Sequence, residues 1–268
     1  MSAGRPMPFD RPLNRRSVLA FLGGAVASSI RPWPAAATEA RIGRLIELAS
    51  NKGPISQKID FISAALRGSR YEGYTLVGGP YRPEKFVVRD DAFDCVTFCE
   101  TVLAAAIAGK KDEFDSVLRT IRYHDGVVSW RERNHYFFEW GQHNIENKIC
   151  RPVEMEGSVE IEKTVYWHKE LGRRRFSMRV IPKSVLLANK QQLASGDIIG
   201  FITQRPNLDY FHVGFIAFGS GGGLLLRHAS QSQHRVLDQR MDDFLAVNRV
   251  RYVTLLRPEE PRAVAMSR

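Results

Sequence analysis

The fold turns on one stretch: Phe211-His212-Val213-Gly214-Phe215-Ile216-Ala217-Phe218, then Gly219-Ser220-Gly221-Gly222-Gly223, then Leu224-Leu225-Leu226-Arg227-His228-Ala229-Ser230. Two apolar runs of strand length flank a glycine-rich turn, which is the signature of a β-hairpin. With the turn centred near Gly221, His212 is opposite Ser230 and diagonal to His228 on the same face, at about 7–8 Å. A slip of one residue would put the two histidines on opposite faces.

Working outward, Ile198–Thr203 and Val250–Leu256 read as further strands, as do Gly126–Trp130 and the shorter Lys85–Val88. Helical spacing governs two segments between Glu39 and Leu66, one carried by Ile42, Leu45, Ile46 and Ala49, the other by Ile59, Ile62, Ala65 and Leu66, with Pro54 between them. A third helix runs from Cys95 to Gly109 on Val96, Cys99, Val102, Leu103, Ala106 and Ile107, and Cys95 falls in its first turn. Helices followed by hairpin-connected strands predict an α+β domain with a mostly antiparallel sheet.

The chain has 268 residues, 44% hydrophobic and 25% charged, which is enough for one sizeable core. No stretch reaches the roughly 20 apolar residues of a membrane-spanning helix. Residues 1–37 form a separate address: Arg15-Arg16 precedes an apolar run from Val18 to Ile30, and Ala35-Ala36-Ala37 follows. That layout predicts a cleavable export signal of the twin-arginine type, so the expected partners include the twin-arginine export machinery. A single domain over 38–268 is expected in the periplasm or outside the cell, with no stable membrane insertion after cleavage. Removing residues 1–37, five arginines against Asp10, lowers the net charge from +10 to +6. The remaining basic residues are spread out and lack a nucleic-acid-binding motif, so no nucleic-acid partner is expected.

Three cysteines, Cys95, Cys99 and Cys150, are too few and too odd in number for a disulfide scaffold. They also lack the second close-spaced pair of a zinc site, and no metal or organic cofactor is implied. A cysteine at a helix start is placed to be a nucleophile, because the helix dipole and free N–H groups favour a thiolate and can hold an oxyanion. Two histidines on one face supply a base and a group to orient it.

Phe93-Asp94-Cys95-Val96-Thr97-Phe98-Cys99-Glu100, Gly196-Asp197-Ile198-Ile199, His212-Val213-Gly214-Phe215 and His228-Ala229-Ser230, in that order, resemble the papain-like NlpC superfamily of cysteine hydrolases. The chain is more specifically similar to the N-acetylmuramoyl-L-alanine amidase-like branch, whose Arg-Asn-His-Tyr…Trp segment Arg133 to Tyr136 and Trp140 resemble. The resemblance spans about Gly73 to Arg257. It implies an NlpC-type fold with the nucleophile's helix packed on the sheet, Cys95 as nucleophile, His212 as general base and acid, and His228 as the residue that orients His212. It also implies Asp94 and Tyr81 as polar contacts at the site. Beside it, the residues allow Arg133 to pair with a substrate carboxylate, and His135, Tyr136 and Trp140 to contact sugar or peptide. Endopeptidases of the superfamily that cut next to D-glutamate follow Asp-Cys with Ser-Gly. Here Val96-Thr97 stands instead, which favours cleavage between N-acetylmuramic acid and L-alanine in peptidoglycan or muropeptides. A stem-peptide endopeptidase, a thiol acyltransferase and a non-catalytic wall-binding module remain as alternatives.

Overall fold

The computed structural model describes residues 35–261, with side chains from residue 41 onward. The signal read over residues 1–37 therefore lies outside the described residues, except that Ala35-Ala36-Ala37 begin the first helix. In chain order the elements are α1 (Ala35–Ala49), α2 (Ile55–Ala65), β1 (Arg70–Tyr71), β2 (Val77–Gly79), β3 (Arg82–Lys85), β4 (Ala92–Phe93), α3 (Cys95–Ile107), α4 (Phe114–Arg122) and α5 (Phe137–Glu146). They continue with β5 (Cys150–Pro152), β6 (Val159–Val165), β7 (Arg174–Pro182), α6 (Lys183–Ala188), β8 (Ile198–Ile202), β9 (Tyr210–Phe218), β10 (Leu224–Ser230), β11 (Arg235–Arg240), α7 (Met241–Val247) and β12 (Tyr252–Pro258). No described helix is long and apolar enough to cross a membrane.

One mixed sheet dominates, in the order β4-β1-β11-β10-β9-β8-β12-β7-β6, with β5 also paired to β12; β2 and β3 form a separate hairpin. Its pairs are antiparallel except β1 with β4. The mostly antiparallel α+β expectation holds. The helices before β5 are followed by a hairpin, β6–β7, and by β11, neither of which the sequence pattern had separated out.

Alternation along the strands sorts side chains into two cores, one on each face. Ile198, Val213, Phe215, Ala229 and Val236 join the core built by α1 to α5. Ile199, Phe201, Ile216 and Leu226 join the other, closed by Met241, Phe244 and Leu245 of α7. Helix α3 is the centre of the first core: every residue from Thr97 to Ala106 is buried, and Phe98 meets Phe215 of β9 edge-on at 5.8 Å. A helix buried all round has no polar face, so its one charged side chain must be matched. Glu100 accepts from Arg122 Nε at 2.8 Å, with both side chains almost fully buried.

Two expected strands are loops, for reasons of hydrogen bonding. At Lys85–Val88 the strand lies one turn earlier, at β3. The Val87 carbonyl is taken by Arg122 Nη1 at 2.7 Å, and the Phe86 ring is covered by Arg119 and Arg122. At Gly126–Trp130 the chain turns, with Asp125 and Gly126 at φ 51° and 66°; the Trp130 carbonyl is held by the His135 ring at 2.6 Å.

Breaking a buried ion pair from one side strands the other charge and costs about 3–5 kcal/mol. Glu100→Ala is thus expected to lower unfolding stability by that amount in urea titration, whereas the double change Glu100→Met with Arg122→Met recovers most of it. A loss under about 1 kcal/mol for the single change would show that the pair does not anchor α3.

Candidate active site

The hairpin register is the one the sequence implies. Leu224 pairs with Phe218, Leu225 with Ala217, Leu226 with Ile216 and Arg227 with Phe215, so the turn is centred on Gly221. The last pair of the ladder is Arg227 with Phe215, although both strands run on. Beyond it β9 and β10 fork. At the fork His212 Nε2 and His228 Nδ1 lie 2.6 Å apart, with the rings edge to face at 87°. Gly214 permits this approach: a Cβ there would sit 2.8 Å from Leu226 Cδ1 and 3.0 Å from His228 Cβ. A bulge at Phe211, between the pairs Phe201–His212 and Ile202–Tyr210, aligns the His212 ring with Phe201 and Phe244.

Cys95 reaches the fork from the helical side. It is the first residue of α3, capped by Asp94, whose Oδ1 accepts from Val96 N at 3.0 Å and Thr97 N at 2.8 Å while Thr97 Oγ1 accepts from Asp94 N at 3.0 Å. This reciprocal box fixes the helix start. The thiol packs beside β9, where the N–H of Val213, the residue after His212, is directed to it. Thus the helix start meets β9 at Val213, the residue next to His212.

The electrostatics differ from the sequence expectation. Burial first, and then the Asp94 carboxylate, push the Cys95 thiol up to about 12, against the N–H groups of Val213, Cys95 and Val96. The helix start alone would act the other way, but Asp94 places a negative charge on it. Burial, then the neighbouring His228, brings His212 down to about 3. Burial likewise lowers His228 to about 4, opposed by Gln239 and Asp238. Thiol and imidazoles are therefore neutral near pH 7.

Tyr71, which the sequence did not single out, belongs to this site. Burial and then the adjacent Cys95 and Asp94 raise its hydroxyl to about 12. It is brought there by the parallel pairing of Tyr71 with Phe93, two residues before Cys95, a long-range register that no local signal announces. Tyr81 lies elsewhere. It is 72% exposed, and its hydroxyl donates to Glu170 Oε1 at 2.5 Å.

The segment expected to touch substrate is largely committed to the interior. Arg133 Nη1 pairs with the buried Glu84 at 2.9 Å, and Glu84 also accepts from Tyr123 at 3.1 Å. Tyr136 and Trp140 are core residues: the Tyr136 hydroxyl accepts from Trp167 N at 2.9 Å, and Trp140 stacks on Phe137 at 4.9 Å. His135 donates from Nε2 to the Trp130 carbonyl and sits between the Trp130 and Trp167 rings at 4.5 and 5.2 Å. Burial lowers its pKa to about 4. Arg133 and His135, with Arg131, His143 and Arg174, border a cavity of about 400 Å³ that Cys95, His212 and His228 do not line. Among the described residues, Cys95, Cys99 and Cys150 are free thiols, and no group of three or more His, Cys, Asp or Glu side chains is arranged to hold a metal ion.

A half-buried thiol at a capped helix start is set against β9, one of the two strands that bring His212 and His228 together, in an α+β protein with a mostly antiparallel sheet. The chain belongs to the AmiA-like family, described as N-acetylmuramoyl-L-alanine amidase-like, whose model matches residues 61–251. Among solved structures it is similar to a protein of Legionella pneumophila at 22% identity and TM-score 0.71, covering 83% of this chain and 95% of that one. It is also similar to an N-acetylmuramoyl-L-alanine amidase of Bacteroides uniformis at 23% identity and TM-score 0.68, covering 77% and 99%. At this identity the likeness concerns the fold. A comparison with curated protein sequences found no match.

A neutral thiol reacts slowly with alkylating agents, and more of it ionises as pH rises. The rate of Cys95 carbamidomethylation, followed by peptide mass spectrometry, is expected to climb steadily between about pH 6 and pH 9, while Cys99 and Cys150 stay unmodified in the folded protein. A plateau across that range would reveal a preformed thiolate and contradict the neutral pair.

Proposed function

We propose that this chain is an exported cysteine amidase that hydrolyses the bond between the lactyl group of N-acetylmuramic acid and L-alanine in peptidoglycan or its fragments. The observation that carries the reading is the 2.6 Å contact between His212 and His228, where the residue after His212, Val213, turns its N–H to Cys95. The family supports the substrate class, and a papain-like, NlpC-type arrangement accommodates the helix-start thiol over the strand.

In this reading Cys95 Sγ attacks the amide carbonyl as its proton passes to Nδ1 of His212. Because both groups start neutral, proton and sulfur move in one step, and charge develops only as the tetrahedral intermediate forms. His228 Nδ1 receives the hydrogen bond from His212 Nε2 and keeps Nδ1 of His212 open for the thiol proton. The N–H groups of Val96 and Thr97 are spent on Asp94. Oxyanion stabilisation therefore falls to the Cys95 N–H and to the Tyr71 hydroxyl, which keeps its proton at neutral pH. His212 then gives its proton to the leaving amine, and water attacks the thioester with His212 again as base. Asp94 fixes the helix start. Substrate contact by Arg133 and His135 would be confined to the separate cavity that they border. Export by the twin-arginine signal of residues 1–37 would bring the domain to the wall.

Mass spectrometry of muropeptides after incubation tests this directly. Wild type is expected to release an intact stem peptide beginning with L-alanine, and Cys95→Ala and His212→Ala to lose at least about a thousandfold in rate. Fragments cut after D-glutamate would assign a stem-peptide endopeptidase, and equal release by Cys95→Ala would remove the thiol from the mechanism.

A further inference from the structure

The histidine pair leaves one ring atom unexplained. His228 Nε2 is buried, and no acceptor or donor meets hydrogen-bond geometry with it. An orphaned polar atom in the interior costs free energy and points to a partner that engages it in some state of the protein. The register of β10 on β11 supplies one. Leu226 pairs with Gln239 and His228 with Leu237, so Gln239 is diagonal to His228 on the same face. The Gln239 amide already acts on the His228 ring, opposing the effect of burial. His212, His228 and Gln239 thus form an oblique row across three adjacent strands, each displaced two residues from the position opposite its neighbour. Phe244 of α7 packs against both imidazoles, 5.5 Å from His212 and 5.8 Å from His228.

A neutral pair of imidazoles sharing one hydrogen bond has two tautomeric arrangements. In one, His212 Nε2–H donates to His228 Nδ1, His212 Nδ1 is bare, and His228 carries its proton on Nε2. In the other, His228 Nδ1–H donates to His212 Nε2, and His212 Nδ1 carries a proton and cannot accept one from a thiol. The outer nitrogen of His228 decides between them: an acceptor beside it selects the first, a donor the second.

We propose that Gln239 is a positioning residue whose Oε1 accepts from His228 Nε2–H, locking both histidines in the arrangement that leaves His212 Nδ1 free to take the Cys95 proton. The inference deepens the amidase reading and rests on it for its catalytic consequence, but the tautomer state itself can be read without any substrate.

The experiment compares the full mature protein with Gln239→Met, which removes the acceptor, and Gln239→Glu, which keeps it. Long-range nitrogen–proton NMR of the labelled imidazoles at neutral pH is expected to show both histidines protonated on Nε2 in wild type and in Gln239→Glu. Gln239→Met should show mixed tautomers in a protein whose remaining spectrum is native. Turnover of a muropeptide should fall about ten- to a hundredfold in kcat for Gln239→Met with little change in KM, and recover in Gln239→Glu. His228 protonated on Nδ1 in wild type, or tautomers unchanged in a folded Gln239→Met protein, would overturn the proposal whatever the substrate is. If the NMR result holds but Cys95→Ala leaves turnover intact, the amidase reading fails and the positioning role of Gln239 in the histidine row stands.

Discussion

The early end of the β9–β10 ladder shapes everything around it. Four cross-strand pairs hold the hairpin, and then the strands part, with residues 210–214 of β9 and 228–230 of β10 still extended beyond the last pair. Had pairing continued, the Val213 N–H would have gone to β10 and no room would exist at the strand for a helix start. Instead that N–H is turned to Cys95, and beyond the last pair the two imidazoles are in direct contact on the face covered by Phe244. The register then sets which groups meet, because a one-residue shift would move His228 to the opposite face. Gly214 is the local condition for it, since any side chain there would collide with His228 and Leu226.

The position of α3 follows from the same strand. Phe98 against Phe215, and Glu100 against Arg122, fix the helix along its length, while the reciprocal Asp94–Thr97 bonds fix its first turn. That cap has an electrostatic cost. It satisfies the N–H groups that a helix-start nucleophile would otherwise exploit, and its carboxylate joins burial in holding the thiol protonated. Burial of the histidines acts in the matching direction and keeps them uncharged. The resting thiol and imidazoles are thus neutral and desolvated, so in the proposed reaction charge would develop only as the thiol adds to the amide.

Much of this was legible in the amino-acid sequence where local patterns carry it. Two apolar runs around a glycine-rich turn defined the hairpin and its register, and apolar residues at helical spacing placed Cys95 in the first turn of α3. Legibility failed where tertiary partners overrode propensity. Phe86-Val87-Val88 has strand composition, but Arg122 takes the carbonyl and two guanidinium groups cover the ring. Tyr136 and Trp140 were expected as ligand contacts, but aromatic residues serve a core equally well and burial assigns both to it. Tyr71 was invisible because its approach to Cys95 depends on a two-residue parallel pairing across the chain, and α3 itself is buried on all sides, so its apolar spacing understated how central it is.

The central claim is that an acyl group passes through Cys95, and hydroxylamine partitioning during muropeptide turnover addresses it most directly. A thioester intermediate is intercepted by the added amine, so release of the L-alanine-terminated peptide should be accompanied by the hydroxamate of the muramic acid lactyl group, in a proportion that rises with hydroxylamine concentration. Peptide release that yields only the free acid at every concentration would contradict a covalent cysteine mechanism at this site.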